Sequence, residues 1–105
     1  MPQTYCFDLD GTLCSISPTL NYEKAEPFEH RIKEVNNLYD AGHTIIIDTA
    51  RGSETGKNWW LITRKQLDLW GLKYHRLRVG RKIAADYYID DRSIESGKFF
   101  KGVSD

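Results

Sequence analysis

Thr4-Tyr5-Cys6-Phe7-Asp8-Leu9-Asp10-Gly11-Thr12 opens the chain with a short run of β-formers that ends in two aspartates one residue apart, followed by Gly-Thr. Alternate side chains of a strand share a face. If the strand gives way after Asp8, both carboxylates converge on one point beyond its end. A hard cation such as Mg²⁺ takes an anionic oxygen cluster of that kind. An aspartate beside such a cation can also attack phosphorus and become an aspartyl phosphate. Asp-Gly behind an apolar run is equally a hairpin signal. Against a hairpin, Ser15-Ile16-Ser17-Pro18-Thr19-Leu20-Asn21 carries polar breakers and a proline and offers no second strand.

Working outward, residues 4–9 read as a first strand and 11–26 as loop. Pro27 suits the first turn of a helix. Phe28, Ile32, Val35, Leu38 and Tyr39 then fall at spacings of four, three, three and one, an apolar helical stripe. Gly42 is a natural stop behind it. Residues 43–48 follow, centred on Ile45-Ile46-Ile47, and three β-branched residues in a row predict a parallel strand buried on both faces. Residues 49–56 are a polar, glycine-containing loop. A helix is expected over 58–70, closed by Gly71, and a short strand over 73–78. Residues 80–85 read as a turn with one helical turn, and 86–89 as another strand ending in Asp90-Asp91. The tail from Arg92 is weakly patterned, with Phe99-Phe100 positioned to pack it onto the body. Strands alternating with helices in this way predict an α/β sheet with parallel crossovers. Ligands of such sheets sit at the carboxyl ends of the strands. Asp8 and Asp10, Thr49, and Asp90 with Asp91 all lie at such ends.

The chain has 105 residues, which fits one domain and no sizeable second one. Its 15 basic and 15 acidic residues balance, so the total charge implies no polyanion-binding surface. No apolar run approaches bilayer length and the N-terminus carries no apolar leader segment, so a soluble, cytoplasmic protein without membrane partners is expected. Cys6 and Cys14 make neither a disulfide framework nor a zinc site. Cys6 is expected to point into the core.

In chain order the chemistry-bearing pieces are Asp8-Leu9-Asp10-Gly11-Thr12, Ile45-Ile46-Ile47-Asp48-Thr49, Lys82, and Ile89-Asp90-Asp91. This ordered set resembles the four motifs of the haloacid dehalogenase superfamily of phosphatases. A narrower likeness rests on Thr49-Ala50-Arg51-Gly52, Thr55-Gly56, Asn58-Trp59, Gln66-Leu67 and Trp70-Gly71. These are similar to the small capless phosphatases associated with capsular polysaccharide biosynthesis. Ile83 follows Lys82 where that family often has proline, a departure that leaves the lysine in place. The resemblance implies a Rossmann-like three-layer α/β/α fold with a mostly parallel sheet. It also implies a Mg²⁺-dependent phosphatase acting on a small phosphomonoester, a sugar phosphate by preference. Asp8 is then the nucleophile, and Asp10 the general acid that becomes the base for water. Asp8, Asp90 and the backbone carbonyl of Asp10 would hold Mg²⁺. Thr49 would donate to a phosphoryl oxygen, Lys82 would supply positive charge, and Thr49, Ala50, Arg51 and Lys82 form the substrate-binding set. The physics agrees, because phosphoryl transfer is catalysed mainly by positioning and charge stabilisation.

Plainer roles stand beside these. Thr49 can be a turn or capping residue, Lys82 can pair with Asp86 at the surface, and Asp90-Asp91 can simply end a strand. Arg51 either touches substrate or braces the site. Trp59, Trp60 and Trp70 are expected in the core before they are expected on a sugar. His30, His43 and His75 lack metal-ligand spacing and suit surface or packing roles. The alternatives to a sugar phosphatase are a phosphatase for nucleotides or nucleic-acid ends and a non-catalytic phosphate- or Mg²⁺-binding module. The first would need a basic, aromatic groove, for which Arg76, Arg78, Arg81 and Lys82 are the raw material. Nucleic acid is not the expected partner. Residues 13–26 and 52–57 are the only insertions near the site, and neither can form a cap domain. A neighbouring subunit, or a substrate large enough to fill the opening, is expected to cover it. Ile16, Leu20, Tyr22, Trp59 and Trp60 are the apolar side chains expected at the mouth.

Overall fold

Three parallel strands, side by side in chain order, form the sheet. The computed structural model of the chain describes residues 1–16, 21–53, 58–83 and 85–103. Strand β1 is Thr4–Phe7, β2 is Thr44–Thr49 and β3 is Arg76–Val79. Helix α1, Glu29–Asp40, carries the chain from β1 to β2, and α2, Trp60–Leu69, carries it from β2 to β3. A short helix α3, Ser96–Phe99, follows near the end of the described chain. Parallel neighbours need such crossovers, and the helices supply them. The expected first two strands and two long helices stand within a few residues of where the periodicity put them. Among the described residues no helix is long and apolar enough to cross a membrane.

The register pairs Phe7 with Ile47, and Ile47 in turn with Leu77. Paired residues share a face, so Phe7, Ile45, Ile47, Thr49 and Leu77 look one way while Cys6, Ile46, Asp48, Arg76 and Arg78 look the other. Ile45 and Ile47 are wholly buried, with Ile32 and Val35 of α1, Leu67 of α2, Leu72 and Phe100 in the same cluster. Ile46 is only half-buried, and Cys6, Arg76 and Arg78 are exposed. The two-sided burial expected for 45–47 and the core position expected for Cys6 are therefore corrected. The reason is topological. Both crossovers step the same way across the sheet, and right-handed crossovers then lay both helices on one face.

Residues 86–89 do not form the expected strand. Tyr87 is 84% and Ile89 97% exposed, and among the described residues no strand pairs with the outer edge of β1. Three apolar residues between charged ones bury too little to fix a strand without a neighbour. Residues 80–83 and 85 likewise hold no helical turn. The tail behaves as expected. Glu95 accepts N–H bonds from Gly97 and Lys98 to start α3, which delivers two aromatic rings. Phe100 is 3% exposed, with its ring 6.0 Å from Phe7 and the Arg31 guanidinium 5.0 Å above it. Truncating it should cost about 3–5 kcal/mol. Urea denaturation of Phe100→Ala checks this, and a loss below about 1 kcal/mol would detach the tail from the cooperative unit.

Candidate active site

β1 hands the chain to a tight turn anchored by Leu9, Leu13 and Cys14, all wholly buried. The Leu9 carbonyl accepts the Thr12 and Leu13 N–H groups, and Gly11 N–H donates to the Cys14 carbonyl at 2.8 Å. Gly11 has φ +85°, and a Cβ there would lie 3.0 Å from the Ile16 side chain. Only glycine accepts both conditions. With Leu9 drawn inward, Asp8 and Asp10 are left at the surface of one cavity of about 220 Å³. Its wall includes Thr49, Ala50, Arg51 and Lys82, with Ile16, Tyr22 and Tyr88 around them. The turn after β1, the end of β2 and the loop after β3 thus bring together every expected catalytic and substrate-binding residue.

Lys82 Nζ lies 3.3 Å from Asp8 Oδ1 and 4.6 Å from the centre of the Tyr88 ring. The surface pair with Asp86 is not made; the lysine turns to the site instead. Partial burial raises the Asp8 carboxyl above the ordinary carboxylate range, and Lys82 and the Leu9 N–H offset this only in part. Asp8 is the open carboxylate of the pair, its side chain 41% exposed.

Asp10 has a different environment. Arg51 Nε donates to Oδ2 at 2.9 Å and Nη2 to Oδ1 at 2.8 Å, a bidentate fork. The arginine side chain is completely buried and that of Asp10 18% exposed. Arg51 Nη1 donates onward to Thr63 Oγ1 at 3.1 Å and Gln66 Oε1 at 2.6 Å, both on α2. Its guanidinium also lies 4.8 Å from the Tyr22 ring centre, and Gln66 Nε2 donates to the Tyr22 carbonyl. Burial and the neighbouring Asp10 push the Cys14 thiol up to about 12, so it remains a donor, 3.4 Å from Asp10 Oδ1. Arg51 thus braces Asp10, and it also lines the cavity. Thr49 is 1% exposed, and its Oγ1 accepts the Arg51 N–H at 3.3 Å. That turn contact leaves its hydroxyl proton for the cavity.

Thr63 and Gln66 were not singled out from sequence as site residues. Their three-residue spacing on one helical face is the signal that could have marked them as a shared bracket. Trp59 is buried at 7% exposure with its ring edge-on to Tyr22, so it does not stand at the mouth. Ile16 is 69% exposed beside the cavity, and Leu20 lies outside the described residues. His43 and His75 each accept a backbone N–H, from Gln3 and Ile45, in the packing roles expected.

Asp90 does not reach the cavity. It is fully exposed, and its Oδ1 accepts the Arg92 N–H at 2.8 Å, a bond that lowers its carboxyl below the usual range. The expected metal set of Asp8, Asp10 and Asp90 is therefore not assembled. Among the described residues no group of three or more His, Cys, Asp or Glu is placed to hold a metal ion. The cause is the strand over 86–89 that did not form, since that strand was to deliver Asp90.

Comparison with solved structures finds a crystal structure of a target protein from Vibrio cholerae, 27% identical with a TM-score of 0.81. The match covers 94% of this chain and 88% of that one. It supports a small α/β fold with a three-stranded parallel sheet and helices. No family model and no curated protein matches the chain.

Proposed function

We propose that the chain is a cytoplasmic phosphatase that transfers the phosphoryl group of a small phosphomonoester, a sugar phosphate by preference, to Asp8. We further propose that its fold is the capless, Rossmann-like fold of the haloacid dehalogenase phosphatases. The observation that carries the reading is the Asp8–Lys82 contact at 3.3 Å on the wall of a cavity that also holds Asp10 and Thr49. A nucleophilic carboxylate next to a cation, with a second carboxylate and a hydroxyl beside it, is what phosphoryl transfer to oxygen uses.

The chemistry balances on these groups. An Asp8 carboxylate oxygen bonds to phosphorus as the bond to the leaving oxygen breaks. Lys82 offsets charge on the phosphoryl oxygens and Thr49 donates to one of them. Asp10 gives a proton to the leaving oxygen, then takes one from the water that attacks the phosphorus of the aspartyl phosphate, which releases phosphate and restores Asp8. The Arg51 fork takes one lone pair on each Asp10 oxygen, and Cys14 approaches Oδ1. Oδ2 keeps the lone pair that can carry the proton.

Arg51 and Asp10 neutralise each other, as do Lys82 and Asp8, so a phosphate dianion adds charge that a divalent cation would balance. The proposal keeps Mg²⁺ on that ground and on the Asp8-Leu9-Asp10 motif. Because Asp90 stands apart from the cavity, no step is assigned to the ion.

Asp10→Asn tests the assignment. Formation of the phosphoenzyme from an alkyl phosphate should slow by about 10²-fold or more, because a poor leaving group needs the proton. An aryl phosphate should slow far less. Single-turnover rates are the measurement, and equal slowing of both substrates would sink the role given to Asp10.

A further inference from the structure

Next to the Asp8 cavity lies a second concavity of about 520 Å³ along β3, walled by Arg76, Arg78 and Arg81 with Ser53 and Trp60. The chain as a whole has no net charge, yet among the described residues this lining holds three arginines and no carboxylate. Among the described residues none of these arginines makes an ion pair or a side-chain hydrogen bond. Trp60 is 40% exposed, and the Arg64 guanidinium lies 5.3 Å from its ring centre. The Ser53 hydroxyl oxygen is shielded from water and has no hydrogen-bond partner among the described residues. A buried hydroxyl normally has one.

The two concavities are lined by residues that adjoin in sequence. Thr49, Ala50 and Arg51 face the first while Ser53 faces the second, and Lys82 faces the first while Arg81 faces the second. The seam is tight. Gly80 N–H donates to the Thr49 carbonyl at 3.1 Å, and a Cβ on Gly80 would come within 3.3 Å of the Arg51 carbonyl. The loop after β3 thus lends Lys82 to the first concavity and Arg81 to the second.

We infer that this groove binds a second phosphoryl group of the substrate, so that a bisphosphorylated small molecule is preferred over a simple phosphomonoester. The inference rests on the phosphatase reading above and narrows its substrate class. Guanidinium groups suit phosphate through paired N–H donors. This also addresses specificity in a site without a cap domain, since contacts remote from the reacting atoms supply binding energy.

Isothermal titration of the Asp8→Asn chain with glucose 1,6-bisphosphate and glucose 6-phosphate tests the groove without turnover. The bisphosphate should bind about tenfold tighter or more. Adding Arg76→Gln, Arg78→Gln and Arg81→Gln should erase that preference, and the three lysine replacements should restore part of it. A preference below about twofold, absence of binding, or a preference that survives the three glutamines would overturn the groove. Hydrolysis of p-nitrophenyl phosphate by the parent chain reports separately. Its absence overturns the phosphatase reading, while an arginine-dependent preference still supports a phosphate site. Arginine-dependent binding of a 5′-phosphorylated single-stranded oligonucleotide, tighter than that of the bisphosphate, would overturn the small-molecule assignment.

Discussion

Asp8→Asn is expected to fold, to melt no lower than the parent, and to lose turnover of an aryl phosphate by about 10³–10⁶-fold. The amide keeps the shape of the side chain but cannot form the acyl phosphate. The stability part follows from linkage. Partial burial holds the Asp8 carboxyl above its unfolded value, so the folded chain binds that proton more tightly than the unfolded chain does. Stability contributed by this group is therefore present at low pH. It falls as pH rises from the unfolded value, about 4 for an aspartate, to the raised folded value, and stays lost above it. At neutral pH the ionised Asp8 is a net cost, and the neutral amide removes it. Activity runs the opposite way, because the nucleophile must be ionised. The acid limb of kcat/KM should lie above the range of an ordinary carboxylate. Unchanged turnover in a pure, folded Asp8→Asn sample would end the aspartyl-phosphate proposal, and a clear drop in melting temperature would contradict the burial account.

Much of the positioning scaffold was legible in the sequence because periodicity and local chemistry agree there. Phe28, Ile32 and Val35 repeat at helical spacing, and α1 forms directly behind Phe28 and over the other two. Ile45-Ile46-Ile47 bracketed by Gly42 and Asp48 gave β2 within a residue. The site residues at the ends of β1 and β2 follow from those boundaries and the parallel register. Local pattern failed where the outcome depends on what packs from elsewhere. Cys6 sits between two inward-facing rings, so alternation sends it outward, yet strand composition alone does not say which face is covered. Tyr87-Tyr88-Ile89 has strand composition but no paired neighbour, and Asp90 is stranded with it. Trp59 is buried as expected, and only its expected place at the mouth fails, because packing against Tyr22 is a long-range fact. Arg51 is the hardest case. A buried arginine and a substrate-binding arginine look alike in sequence, and only the placement of Asp10, Thr63 and Gln66 around it separates them.

Arg51→Met should be the most destabilising single change at the site, and Arg51→Lys should fall between it and the parent. Methionine matches much of the volume but leaves Asp10, Thr63 Oγ1 and Gln66 Oε1 without the donors that now reach them. Removing one partner of a buried ion pair costs about 3–5 kcal/mol. Asp10 retains 18% exposure, so water can reach its carboxylate and the lower end of that range is expected. Lysine keeps the charge but not the fork, and cannot serve Asp10 and α2 together. A loss of about 3 kcal/mol is large against the 5–15 kcal/mol that holds a domain of this kind, so urea titrations belong at low temperature. A double-mutant cycle with Asp10→Asn separates the pair from the rest of the bracket, and a coupling of about 1–3 kcal/mol is expected. Positioning has its own readout. In Arg51→Lys the aryl phosphate should still react while the alkyl phosphate slows, because a displaced Asp10 no longer meets the leaving oxygen. If Arg51→Met and Arg51→Lys both unfold within about 0.5 kcal/mol of the parent, the fork is not what holds Asp10 in place. If Arg51→Lys slows both substrates equally, Arg51 acts on the phosphoryl group itself, and the substrate-contact role returns.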